Sequence, residues 1–145
     1  MFKSPKESLG DLAAPSVANL IAAATDVALV VDGQGIIRDV AFNKEELSLE
    51  LDAQGRWMGS KLAETVTSDT KAKVEGLLQD AVVKKSSSWR QVNHPSAGGE
   101  DIPVLYSAIN IGRDDRFVVV GRDLRPLAAM QQRLINAQQS MERDY

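Results

Sequence analysis

From Ser88 to Arg122 the chain is three β-rich runs in close succession: Ser88–His94, Ile102–Ile111 and Arg116–Arg122. Pro95-Ser96-Ala97-Gly98-Gly99 and Gly112-Arg113-Asp114-Asp115 connect them, and both have the composition of hairpin loops. Strands joined by tight loops pair antiparallel, so this half of the chain commits the domain to an antiparallel sheet. Pro103 stands near the start of the middle run, where a missing N–H matters least.

A second pair of strands lies earlier. Ala28–Val31 and Ile36–Val40 flank Asp32-Gly33-Gln34-Gly35, and a glycine there tolerates positive φ, so the segment reads as a hairpin. Gly33-Gln34-Gly35 also opens like a dinucleotide-binding fingerprint. The third glycine position holds Arg38, however, and an extended run follows in place of a helix, so the turn reading wins. Residues 42–64 scatter Phe42, Leu47, Leu49 and Leu51 among acids, which suits short helical turns over one sheet face. Trp57, in a glycine-flanked turn, reads as a plug at the core edge.

Two segments have helical period inside this frame. Val17, Leu20, Ile21 and Ala24 follow three-four spacing after Pro15, which suits the first turn of a helix. Val74, Leu77, Leu78, Ala81 and Val82 share a face, with Thr67 or Ser68 as the expected cap and Lys84 and Lys85 in the last turn. Residues 1–13 show no sustained period and read as a flexible N-terminus.

The last segment, Leu124–Tyr145, contains no glycine, and its one proline, Pro126, sits in the first turn. Leu127, Met130, Leu134, Ala137 and Met141 alternate steps of three and four, the a/d seam of a coiled coil. Gln131, Gln132, Gln138 and Gln139 lie off the seam. The pattern reaches Tyr145 without a stop signal, so the expectation is a fragment cut inside a longer helix. The seam and the N-terminal face (Val17, Leu20, Ile21) together form the expected homodimer interface. Leu134→Glu is the substitution expected to weaken it.

Composition narrows the function classes. The chain has 145 residues, 43% of them hydrophobic and 26% charged, which suits one globular domain. Its net charge of −3 argues against a nucleic-acid-binding surface within the chain. With no cysteine, disulfides and thiolate metal sites are excluded. The longest apolar stretch, Val27–Val31, is far short of the roughly 20 residues that span a bilayer. No signal-peptide pattern follows the charged N-terminus, so the expected location is the cytoplasm, with no membrane contact. Between residues 26 and 55, Asp26, Asp32, Asp39, Glu45, Glu46, Glu50 and Asp52 face only Arg38 and Lys44, and this stretch reads as a solvated acidic face.

The only histidine, His94, precedes Pro95 at a strand end and reads as a surface turn residue. The functional reading set beside it is ligation of a haem iron. With one histidine and no cysteine, no catalytic, cofactor-binding or metal-ligating residue is assigned. The photoreactive flavin mode needs a cysteine, leaving only a non-covalent flavin to weigh. The expected fold class is α+β: a five-stranded antiparallel sheet with helices on one face, an N-terminal amphipathic helix and a C-terminal linker helix. The division follows as 1–13 flexible, 14–123 domain and 124–145 linker start.

This order of elements resembles a PAS domain. Gly121-Arg122-Asp123-Leu124-Arg125-Pro126 stands where many PAS domains close their last strand with an Asp-Ile-Thr signature, Arg125 replacing the threonine. Asp123 is the expected cap of the linker helix, accepting from backbone N–H groups at its start. That same segment, the Gln-rich helix, Met141-Glu142-Arg143-Asp144-Tyr145 and Leu20–Asp26 resemble the N-terminal region of the PpsR/CrtJ family. The resemblance implies a PAS-like oligomerisation and signal-relay module of a bacterial repressor of photosynthesis genes, without enzymatic activity or cofactor. It implies self-association, an antirepressor flavoprotein as partner in some species, and DNA contact only through a helix-turn-helix outside these residues. The alternative expectation is a ligand- or chromophore-sensing PAS domain of a sensor kinase or other signalling protein.

Overall fold

The computed structural model of the chain describes residues 3–10, 13–112 and 115–143. Arg113 and Asp114 of the expected loop lie outside the described residues, as do Met1, Phe2, Asp11, Leu12, Asp144 and Tyr145. A single helical turn, α1 (Pro5–Leu9), occupies part of the segment expected to lack regular structure. Then come α2 (Ala14–Ala24), β1 (Val27–Val31), β2 (Ile37–Phe42) and α3 (Glu45–Leu51). Short 3-10 turns at Leu62–Glu64 and Ser68–Thr70 lead into α4 (Lys71–Lys84). Three strands follow, β3 (Arg90–His94), β4 (Ile102–Asn110) and β5 (Phe117–Asp123), and the chain leaves on α5 (Arg125–Arg143).

The five strands form one antiparallel sheet in the order β2-β1-β5-β4-β3. The three expected hairpin pairings, β1–β2, β3–β4 and β4–β5, are all present, and β5 joins the two groups by pairing with β1 from Val27↔Gly121 to Val31↔Phe117. Alternation decides the faces. Val27, Leu29 and Val31 point one way with Phe117, Val119, Val104, Tyr106 and Val92, and all are buried. Against that face pack Leu47 and Leu51 of α3, Leu62, and Val74, Leu77 and Ala81 of α4. Trp57 is 7% exposed and belongs to this core, as its sequence position suggests.

The helix cap expected at Thr67 or Ser68 is absent. Neither the Ser68–Thr70 turn nor α4 has a side-chain cap hydrogen bond. Thr67 instead shares its hydroxyl with that of Thr70 at 3.0 Å, and the backbone N–H of Asn93 donates to the Thr70 hydroxyl, so these threonines tie α4 to β3. Among the described residues no helix is long and apolar enough to cross a membrane.

Candidate functional site

The helices that carry the expected interface residues stand apart from the core. From Pro126 to Glu142 every α5 residue is exposed. Leu127 is 54% exposed, Met130 56%, Leu134 65% and Met141 65%, so the apolar seam has no cover within its own chain. The helix does not fold back on its sheet. An apolar stripe left in water costs free energy, about 25 cal/mol per Å² of apolar surface that a partner would otherwise bury.

Helix α2 lies over the other face of the sheet from α3 and α4. Ala14, Val17, Ala18 and Ile21 look across to Ala28, Val30 and Val118, enclosing an apolar groove of about 490 Å³. None of its 11 residues is buried, and its sequence, APSVANLIAAA, has no charged side chain. Ile21 is half-buried, whereas Val17 and Leu20 are exposed. A helix presented to solvent on its outer side normally carries charge there.

Both helices are rooted at one corner. Asp26, at the turn from α2 into β1, accepts the backbone N–H of Asp123 at 2.8 Å and donates its own N–H to Gly121 O. Asp123 Oδ1 in turn accepts the backbone N–H of Arg125 at 2.9 Å, where α5 begins. The Arg125 guanidinium lies between two carboxylates. It donates to Asp123 Oδ2 at 2.8 Å, and to Glu50 Oε2 at 2.5 Å and Oε1 at 3.1 Å. Planar fork-to-carboxylate pairing of this kind fixes orientation as well as charge. These bonds, first of all those to Glu50, push the guanidinium pKa up, and the Arg125 hydrogen bond pulls the Glu50 carboxyl down. Sequence reading took Glu50 for part of a solvated acidic face and Arg125 for a motif departure. Neither residue signals the other across the intervening chain.

The interior departs more sharply from expectation. His94 is fully buried, which overturns its reading as a surface turn residue. It is the last residue of β3, two beyond Val92, and alternation turns both inward opposite Ile102 and Val104. Nδ1 lies 2.8 Å from the Thr65 carbonyl and Nε2 lies 2.8 Å from the Tyr106 hydroxyl. A carbonyl only accepts, so Nδ1 carries the proton and Nε2 accepts from Tyr106. Burial lowers the imidazole pKa to about 4, against the raising effect of the Thr65 bond. Burial likewise pushes the Tyr106 phenol up. Trp57 stacks 4.8 Å from the His94 ring, and Phe42 lies 5.6 Å beyond Trp57. A neutral histidine in an aromatic stack thus fills the space between sheet and helices.

Comparison with known proteins agrees with this architecture. No family model matches the chain. Protein CrtJ of Rhodobacter capsulatus is 31% identical over 144 residues, 99% of this chain, and the chain spans 30% of the length of CrtJ. Among solved structures, a PAS domain from Colwellia psychrerythraea covers 74% of this chain and 96% of its own, with 16% identity and a TM-score of 0.55. The PAS domain of an HTR-like protein from Haloarcula marismortui covers 84% of this chain and 99% of its own, with 18% identity and a TM-score of 0.54. A sensory box histidine kinase/response regulator from Burkholderia thailandensis covers 87% of this chain and 98% of its own, with 9% identity and a TM-score of 0.56. At these identities the structural likenesses establish the fold alone. The five-stranded sheet, its flanking helices and the match to CrtJ along nearly all of the sequence make the chain a PAS-like domain of the PpsR/CrtJ family.

Proposed function

We propose that the chain is a non-enzymatic oligomerisation and signal-relay module of a cytoplasmic transcriptional repressor of photosynthesis genes. In this reading it meets DNA only through a helix-turn-helix elsewhere in the protein, and an antirepressor flavoprotein is a further partner. The observation that carries the reading is α5, which leaves the domain with its whole apolar seam exposed. A helix of 19 residues draws most of its stability in a protein from packing of its apolar face, and pairing of apolar seams supplies that packing in coiled coils. The partner is a second copy of the chain, meeting it along Leu127, Met130, Leu134, Ala137 and Met141. The uncharged α2 adds contact beside the shared root at Asp26 and Asp123, with Leu20 exposed on the helix and Val17 and Ile21 lining the groove it forms with its own sheet. A paired helix has few packing registers, so a change in one domain pair is passed on as a discrete shift.

Sedimentation of the wild type and of Leu134→Glu tests this. Each seam leucine buried in a dimer contributes about 2 kcal/mol, and the substitution acts in both copies. The dimer dissociation constant should therefore rise by at least about a hundredfold. Equal masses for the two proteins at low concentration would overturn the reading.

The interior also bears on the chromophore-sensing alternative. Both nitrogens of His94 are committed, to Thr65 and to Tyr106. Iron ligation would have to break one of these bonds and strand a buried polar group. A protein without visible absorption bands as first purified is the expected result. A haem or flavin spectrum would favour the alternative.

A further inference from the structure

One side chain attaches α5 to the body of the domain. Among the described residues, Arg125 is the only α5 residue whose side chain makes a hydrogen bond or ion pair outside the helix. Its two carboxylate partners differ in kind. Asp123 ends β5 and sits in the same turn of chain, so it stays with Arg125 wherever α5 points. Glu50 belongs to α3, a separate element on the inner face of the sheet.

Helix α3 is in turn joined to the interior. The Glu50 carbonyl accepts the N–H of Ala97 in the β3–β4 loop. Asp52, the C-cap of α3, accepts the N–H groups of Arg56 at 2.7 Å and Trp57 at 3.2 Å. Trp57 lies against His94. A continuous run of contacts thus leads from the buried stack, through the Asp52 turn and α3, to Glu50, Arg125 and α5.

We propose that Arg125 is a positioning residue with two settings. Held by both Asp123 and Glu50, it fixes the angle at which α5 leaves the sheet. Held by Asp123 alone, after α3 is displaced, it lets α5 swing. The exit angle of the linker helix then reports the position of α3. This deepens the relay reading and rests on it for the use made of α5, but the latch itself is a property of a single chain. Both partners of the Glu50–Arg125 pair are 39% exposed, so Glu50 can be replaced without opening the core.

The chain has no cysteine, so two introduced ones carry spin labels without background. Lys73→Cys on α4 and Ser140→Cys on α5 place the labels at exposed positions. The full chain is measured with labelled protein diluted in unlabelled protein, so that only distances within one chain are read. Ser140 lies about 22 Å along the helix from Arg125, and a swing of about 15° displaces it by about 6 Å. The expected result is one narrow distance distribution for the otherwise native chain. Glu50→Gln should broaden it and Glu50→Lys should broaden and shift it, by about 6 Å or more, with the circular dichroism spectrum unchanged. Arg125→Lys, which keeps the charge but not the fork, should fall between them.

A native distribution that is already broad, or one that Glu50→Lys leaves as narrow as before, overturns the latch. Mass measured on the same samples separates the two ideas. Broadening in a chain that stays monomeric keeps the latch and removes the oligomer reading. Dimers with unchanged distances remove the latch alone.

Discussion

Gly121→Val should leave the domain largely unfolded, and Gly121→Ala should cost about 3 kcal/mol, a fall of about 1.5 M in the urea midpoint. Gly121 pairs with Tyr106 across β5 and β4 on the buried face. A Cβ at residue 121 would lie 2.5 Å from Tyr106 Cε1, 2.8 Å from Cδ1 and 3.0 Å from Val104 Cγ1. These atoms cannot yield. The Tyr106 ring is fully buried and its hydroxyl is bonded to His94. An aromatic ring laid over a strand glycine fills the space that the missing side chain leaves. Gly76 provides the contrast. A Cβ there would meet the Arg90 guanidinium at 2.8 Å, the far end of a long side chain paired with Asp80. Gly76→Ala should therefore change stability by less than about 1 kcal/mol, since Arg90 can move and a helix gains from the alanine. Urea titration of the two variants decides the matter. The double variant Gly121→Ala with Tyr106→Ala should show a strongly non-additive cost, and additivity would remove the packing argument.

Acid should destabilise the domain well before its carboxylates titrate. The His94 pKa is about 4 in the folded chain against 6.5 when exposed, so between these values the unfolded chain binds a proton that the folded chain refuses. Stability is then full above pH 6.5, falls as pH drops through the window, and the histidine contribution levels off below about 4. The slope approaches about 1.4 kcal/mol per pH unit and the total loss is about 3 kcal/mol. Urea midpoints measured between pH 7 and pH 5 should show this slope in the wild type and lose it in His94→Gln. A wild type whose midpoint is flat over that range would mean that the folded chain takes up the proton as readily as the unfolded one, and would remove the buried neutral imidazole. Tyr106→Phe should cost about 1–3 kcal/mol at pH 7, because Nε2 is then a buried acceptor without a donor.

Much of the fold is legible in residue order because the forces involved are local. The β-rich runs Ala28–Val31 and Arg116–Arg122, the glycine turns between strands, and the three-four spacing of Leu127 to Met141 each act within a few residues. The Glu50–Arg125 pair is not legible, because the two residues are 75 apart in the chain and nothing in either neighbourhood names the other. His94 was hidden for a different reason. Pro95 marks a turn so strongly that the period-two signal linking Val92 to His94 is overlooked, although that signal places the imidazole inside. The need for glycine at 121 appears only when the register sets Tyr106 opposite it.

Among the described residues the side-chain bonds from α5 to the rest of the domain all come from its first turn, so the helix behaves as a shaft whose phase is set at one bearing. Each residue added to it turns everything beyond by about 100° and advances it by about 1.5 Å. Lengthening by seven residues keeps the seam nearly in phase, whereas lengthening by two carries it to the opposite side. If the helix serves the proposed relay, insertions in it should be tolerated in whole heptads and not in steps of two residues.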